Sequence, residues 1–256
     1  MIRVTVVTGA GGGIGRVIAR AFAAQGDDVV LAARRAELLE ETKALIESDG
    51  GRAVVVPTDV TERASVEDLA KAALDRYGRV DVVVNNSGVT GPSAPLWEIE
   101  PSEWDETFAV NVHGVFLVCR AVIPAMIEAR SGSIINIGSI SGKRPAPGRS
   151  PYAAAKAALI GLTRTLAHEV GPYGIRVNSI SPGFTEGPRI EWVIARQAEA
   201  RGVSESEIRA EMTGLSPLGR FTRPDDIAAA AVYLASPEAS AVTGVDLNVN
   251  AGVVMY

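Results

Sequence analysis

The sequence predicts an α/β domain with one doubly wound parallel sheet and helices on both faces. Three observations carry this expectation. β-Branched runs alternate with helix-period segments, a glycine-rich turn joins the first run to the first helix, and 47% of the 256 residues are apolar against 21% charged. Regular alternation of this kind makes successive strands parallel, joined by right-handed crossovers. The length suits one large domain with a substantial core, and no linker, repeat or low-complexity tract divides residues 1–256. A net charge of −5 argues against nucleic acid as a partner, because phosphate binding needs a dense basic surface. Cys119 is the single cysteine, so disulfides within the chain are excluded and a reducing, cytoplasmic setting is expected. Its apolar neighbourhood, VFLVC, predicts a buried and inert thiol. No apolar run is read as approaching a membrane span, and MIRVTVVTGA enters structure without a signal-peptide pattern.

Residues 2–8 form the first expected strand, GAGGGIG the turn, and RVIARAFAAQG the first helix. A glycine turn in this setting lets backbone approach a pyrophosphate, with the helix N-terminus supplying N–H groups and positive dipole; plain loop punctuation is the alternative. The second strand, Asp28–Ala33, ends at Arg34 and Arg35 before the helix AELLEETKALIES. An acid at this point accepts the ribose hydroxyls of NAD, whereas an arginine accommodates the 2′-phosphate of NADP. Arg34 without an acid therefore favours NADP over NAD, against a reading in which both arginines are merely solvated. Strand Arg52–Pro57, the turn and helix within TDVTERASVEDLAKAALDRYG, and strand 80–85 repeat the unit.

Beyond NNSG, Pro101 and Ser102 start a long helix that runs to Ala129. Asn111 is out of place among its apolar neighbours, and a buried amide must find partners or mark a kink near Gly114. His113 and His168 have no further ligands at metal spacing, so no metal is expected. Strand 133–137 delivers Ser139 to the C-terminal edge of the sheet, where open α/β sheets bind ligands. Tyr152 and Lys156 lie four apart on one helical face. An ammonium beside the phenol favours phenolate and lowers its pKa from about 10 by roughly 1 to 3 units, making it a usable acid or base. An ordinary amphipathic helix is the competing reading. That helix stops at Gly171-Pro172; strand 175–181 and Pro182-Gly183 follow, and residues 184–216 form a lid-like insertion of helical pattern. Helix Pro224–Ala235 and strand 246–250 complete the chain.

From end to end the chain resembles the short-chain dehydrogenase/reductase family in its compact single-domain form. The resemblance rests on an ordered set: TGAGGGIG at residues 8–15, Asp59-Val60, NNSG at 85–88, Asn111, Ser139, YAAAK at 152–156, and Pro182-Gly183. It implies a seven-stranded Rossmann-type sheet, NAD(P)-dependent oxidoreductase activity on an alcohol or carbonyl, and commonly a homotetramer. By position, Tyr152 would exchange a proton with the substrate oxygen and Ser139 would orient that oxygen. Lys156 would lower the phenol pKa and hold the nicotinamide ribose, and Asn111 would hold a water that relays protons from Lys156 to solvent. Gly9, Gly13, Ile14 and Gly15 would line the pyrophosphate and adjoining ribose; Asp59 and Val60 would face adenine, with Asn86 and Gly88 nearby on the adenosine side. Pro182, Gly183 and Thr185 would lie beside nicotinamide. The chain departs from the family's usual pattern at Ser87, often alanine, at Gly187, often near a threonine, and at Gly12, where NADP-preferring relatives frequently carry a cation.

Lys143, Arg144, Arg149 and Arg189 flank the expected mouth and point to an anionic substrate; surface charges or subunit salt bridges are the alternative. A small hydroxy compound of sugar, polyol or hydroxy acid type is the favoured substrate. A 3-oxoacyl-carrier (or CoA) reductase is the runner-up, and a non-catalytic dinucleotide sensor is the remote reading.

Overall fold

Strand β1 (Val4–Thr8) is buried at every position, the environment that a β-branched run meets in the middle of a parallel sheet. In the computed structural model, which describes residues 2–256 except for the side chain of Ala200, it lies in the interior of a seven-stranded sheet. The other strands are β2 (Asp28–Ala33), β3 (Arg52–Pro57), β4 (Val82–Asn85), β5 (Gly132–Ile137), β6 (Ile175–Pro182) and β7 (Asp246–Val249). Their order is β3-β2-β1-β4-β5-β6-β7, and every pair is parallel. The expected fold is thus the observed one. The first strand starts at Val4, not at residue 2, since Ile2 is exposed; the fourth starts at Val82, and the last stops at Val249, where the Asn250 amide turns the chain toward Val254.

The described residues form nine α-helices: α1 (Gly13–Ala24), α2 (Ala36–Ser48), α3 (Arg63–Tyr77), α4 (Pro101–Phe108), α5 (Gly114–Ala129), α6 (Ser150–Val170), α7 (Pro188–Arg201), α8 (Glu205–Gly214) and α9 (Pro224–Ala235). Ile18, Phe22, Leu39, Ile227 and Ala231 bury one face of the sheet against Val7, Val29 and Leu31. Val66, Leu69, Val115, Val118 and Leu159 bury the other against Val6, Val30 and Val83.

The long helix expected from Pro101 is interrupted by a π-helical turn, Ala109–His113, which places Asn111 at its centre; the irregularity precedes Gly114 and is not a kink at it. By length and composition alone Pro101–Ala129 could cross a membrane, contrary to the reading of its apolar content from sequence. In this fold Val115, Val118, Val122 and Met126 are spent on the sheet instead, as in the core helix of an α/β domain.

One buried ion pair anchors the segment after β5. Lys143 Nζ lies 2.6 Å from Asp246 Oδ2 and donates to Asn248 Oδ1 at 2.7 Å, and the two charged side chains are only 10% and 4% exposed. Asp246 also accepts from Ser179 Oγ at 2.6 Å and Ser181 Oγ at 2.9 Å, so the turn that follows β5 is tied across β6 to β7. Removing one partner of a buried pair leaves the other charge uncompensated. Asp246→Ala should lower unfolding free energy by about 3–5 kcal/mol, read from a denaturant midpoint, and a loss under about 1 kcal/mol would contradict the anchor.

Candidate active site

The strand order reverses between β1 and β4, and the C-terminal ends of β1, β4, β5 and β6 open on one crevice there, the position at which such sheets take ligands. The loop after β1 is shaped by close packing. A Cβ on Gly15 would stand 2.3 Å from Gly9 O and 2.4 Å from Asn86 Nδ2, and Gly9 itself has φ +66°. Asn86 Nδ2 donates to Thr8 O at 3.0 Å and Gly9 O at 3.3 Å, so its amide binds the glycine loop to the end of β4. Gly12, the residue before α1, carries no side chain to cap the helix, and a Cβ at Gly12 or Gly13 would meet nothing within 4 Å. The first N–H groups of α1 are therefore left to an external acceptor, with Ile14 beside them. Arg16, which sequence reasoning passed over, braces the loop from beneath: it donates to Gly11 O at 2.7 Å and pairs with Glu41 at 2.8 Å.

At the end of β2, Arg34 is exposed and in no ion pair among the described residues. The Asp59 carboxyl is held below its usual range, chiefly by the Thr61 backbone N–H, then by the Thr61 hydroxyl and the charge of Arg34. Val60 turns its side chain into the core, where a Cβ on Gly114 would approach its Cγ2 to 2.8 Å. At the far side of the crevice Gly183 N donates to Val249 O, Pro182 pairs with Val249 in the sheet, and Thr185 Oγ1 donates to Gly183 O at 3.1 Å.

The side chains expected to carry the chemistry come from three elements. Ser139, just past β5, is half-buried, and its Oγ accepts from Ser141 N at 3.1 Å, which fixes the side chain at the start of the turn that follows. Tyr152 and Lys156 sit in the first two turns of α6; Lys156 Nζ is 5.7 Å from the Tyr152 ring centroid and donates to Ile137 O at 2.7 Å. Lys156 is 5% exposed, and burial pushes its ammonium down to about 8, with the charge of Arg189 adding to the effect. Asn111 Nδ2 donates to Thr107 O at 2.9 Å and Val89 O at 3.0 Å, while its fully buried Oδ1 accepts from no group of the protein among the described residues. The meeting point is Gly88: a Cβ there would lie 2.8 Å from Asn111 Oδ1 and 3.6 Å from Lys156 Nζ. A chain of buried amides also fixes α6 against the sheet, from Asn85 Nδ2 to Asn136 Oδ1 and from Asn136 Nδ2 to Thr163 Oγ1, each at 2.9 Å. Asn136 was missed from sequence, though a polar residue inside INIG was its signal.

The four cations of the mouth separate into different roles. Lys143 is withdrawn into its pair with Asp246 and does not face the crevice, correcting the expectation that groups it with the others. Arg144 lies over the Phe184 ring at 5.6 Å. Arg149 lies over the Tyr152 ring at 5.1 Å and donates to Thr90 O at 2.8 Å. Arg189 is in the first turn of α7. The lid-like segment is two helices with a core of its own, in which Ile190, Ile194, Ile208, Met212 and Phe221 are buried together. Burial raises the Cys119 thiol to about 12, which leaves it inert at neutral pH.

An uncapped helix N-terminus behind a glycine cradle, and an orphaned amide oxygen beside a buried ammonium, fit a nicotinamide dinucleotide with a carbonyl or alcohol at Tyr152. A family model described as enoyl-(acyl carrier protein) reductase matches residues 9–254. The chain is 37% identical to the 3-oxoacyl-(acyl-carrier-protein) reductase of Thermotoga maritima over 253 residues, 99% of this chain and 98% of that one. Its fold superposes with a TM-score of 0.95 on a point variant of actinorhodin polyketide ketoreductase with NADPH, at 36% identity and covering 100% of this chain and 98% of that one. For NAD+-bound xylitol dehydrogenase the TM-score is 0.93, at 32% identity and 98% of each chain. The chain belongs to the short-chain dehydrogenase/reductase family and is an NAD(P)-dependent oxidoreductase.

Proposed function

We propose that this oxidoreductase interconverts a secondary alcohol and a ketone on a small hydroxy compound of sugar, polyol or hydroxy acid type, with NADP favoured over NAD. The observation that carries the reading is the buried Lys156 ammonium, which lies 5.7 Å from the centre of the Tyr152 ring, is held by the carbonyl of Ile137 two residues before Ser139, and meets Asn111 across Gly88. A bound nicotinamide supplies or takes the hydride. The chain's own groups do the rest. Ser139 Oγ and the Tyr152 hydroxyl hold the substrate oxygen, and Tyr152 gives it a proton on reduction and removes one on oxidation. Lys156 sets a positive charge beside that phenol, where charge develops as the proton leaves. Asn111 Oδ1 is a buried acceptor next to Lys156 and joins it to solvent through water, which returns the proton. Gly9, Gly13, Ile14 and Gly15 would hold the diphosphate, Asp59 and Val60 the adenine, Asn86 the adenosine ribose, Gly88 the part of the cofactor beside Lys156, and Pro182, Gly183 and Thr185 the nicotinamide. Arg34 would take the 2′-phosphate. Relatives are known with NAD+ and with NADPH, so the cofactor preference rests on Arg34.

Xylitol dehydrogenase among the similar structures supports the small-substrate reading, and so does the prebuilt lid of α7 and α8, which can cover a small molecule. Reduction of a 3-oxoacyl thioester on a carrier is the second reading, favoured by the similarity to the Thermotoga maritima enzyme. A binding module without turnover would have no need to keep all four side chains in place. A homotetramer in the cytoplasm belongs to the same proposal.

A screen of secondary alcohols, sugars, ketones and acetoacetyl thioesters with both cofactors separates these readings: thioesters reduced far faster than any free ketone would favour the carrier substrate. Tyr152→Phe should lower turnover by about 10²–10⁴-fold while NADPH still binds by calorimetry. Arg34→Ala should weaken NADPH about tenfold, about 1.4 kcal/mol, and leave NADH unchanged; equal losses would remove the basis for the NADP preference. Lys156 keeps its charge below about 8 and gives it up above, so kcat/KM for reduction should decline as pH rises through about 8. A profile flat to well above that pH would show that the charge is not used.

A further inference from the structure

We propose that Arg149 and Arg189 form an anion subsite that holds a carboxylate or phosphate of the substrate, on the lid side of Tyr152. The inference rests on the reading of Ser139 and Tyr152 as the point where the substrate oxygen is held.

Several cations around the crevice already have partners. Lys143 is neutralised by Asp246, Arg16 by Glu41 and Arg209 by Glu191. Arg149 and Arg189 are in no ion pair among the described residues. Arg149 is nevertheless fixed: Thr90 O accepts from its Nη2, its guanidinium rests over the Tyr152 ring, and its Nε is fully buried without a partner. It is thus an oriented fork, half-buried, with donors to spare.

Arg189 is exposed in the first turn of α7, and its charge reaches both Arg149 and Lys156 and opposes the protonation of each, while Arg149 and Lys156 themselves lie 5.1 and 5.7 Å from the centre of the Tyr152 ring. A basic residue in the first turn of a helix also opposes the helix dipole, which favours acids there. The acid in that turn, Glu191, is already paired with Arg209. Gly187, which precedes the helix, has no side chain to cap it. Like charges held together, with the acid of the helix's first turn already paired, are relieved by an anion from outside, and a planar oxyanion can bridge two guanidinium forks. The same anion would draw the first turn of α7 toward α6 and close the lid over the carbonyl.

The dinucleotide's phosphates are the other source of such an anion, and the experiment has an arm for each. Matched pairs of ketones are used as probes: acetoacetate, 4-oxopentanoate and 4-oxocyclohexanecarboxylate, each with its methyl ester. The subsite predicts at least tenfold lower KM for acid than ester on the preferred scaffold, a ratio that collapses toward one in Arg189→Gln and in Arg149→Gln, and that Arg189→Lys partly restores. Calorimetry of the same acid with the NADP+ complex of Tyr152→Phe should show binding that adding Arg189→Gln abolishes, with no turnover needed for the readout. Esters turned over as well as acids, or acid binding indifferent to Arg189→Gln, overturns the subsite and leaves the oxidoreductase reading standing. A weaker NADPH affinity in Arg189→Gln with an unchanged acid-to-ester ratio overturns it in favour of the cofactor's phosphates. Acid that binds through Arg189 with no ketone reduced by any form of the enzyme keeps the subsite and fails the catalytic reading instead.

Discussion

The buried ammonium of Lys156 is the constraint around which the catalytic end of the molecule is built. A lone charge at 5% exposure carries a large desolvation penalty, and among the described residues only the Ile137 carbonyl accepts from it, at 2.7 Å. That carbonyl belongs to the last residue of β5, so the strand must end there and the chain must turn at Gly138 into Ser139. The NNSG loop must pass close enough for Gly88 to lie against both Lys156 and Asn111, and only a residue without a Cβ allows it. The π turn in the helix behind then sets Asn111 with its amide nitrogen spent on backbone and its oxygen turned inward. Irregular turns of this type are frequent at functional sites for this reason: they re-aim one side chain without breaking the helix.

The second organising theme is the unequal treatment of positive charge. Where a cation serves the scaffold it is paired, as the buried Lys143 is with Asp246, or the half-buried Arg16 beneath the glycine loop with Glu41. Around Tyr152 the cations are left without counter-charges. Lys156 and Arg149 lie 5.7 and 5.1 Å from the centre of the Tyr152 ring, and positive charge held in a partly dry setting attracts an anion more strongly than it would in water. The net charge of the whole chain is negative, so this positive pocket also stands out against its surroundings for an approaching anion.

The sheet was legible because its signals are local. Every β-branched run became a strand within two residues of its expected limits, and the Gly–Pro boundaries of the lid marked its start. The break between α7 and α8 also had a local sign, the capping box of Ser204 and Glu207, although the residues were read as one helical segment. What could not be read depended on partners distant in sequence. The fate of Lys143 is decided by Asp246, on the last strand, whereas Arg149, only a few residues away in the same linker, meets no acid at all. The π turn leaves the apolar spacing of its helix almost unaltered, so its presence was visible only as an anomalous asparagine. The apolar length of Pro101–Ala129 was underestimated because polar residues of α4 mask it in the sequence.

If Lys156 is the buried cation on which the site depends, its own titration should show it. With 13C-labelled lysine, the Lys156 resonance, identified by its loss in Lys156→Met, should titrate in the free protein with a midpoint of about 8, set apart from the solvated lysines. A midpoint near the ordinary lysine value of about 10.4 would mean that the ammonium is solvated, and the account of the site built on its burial would be wrong.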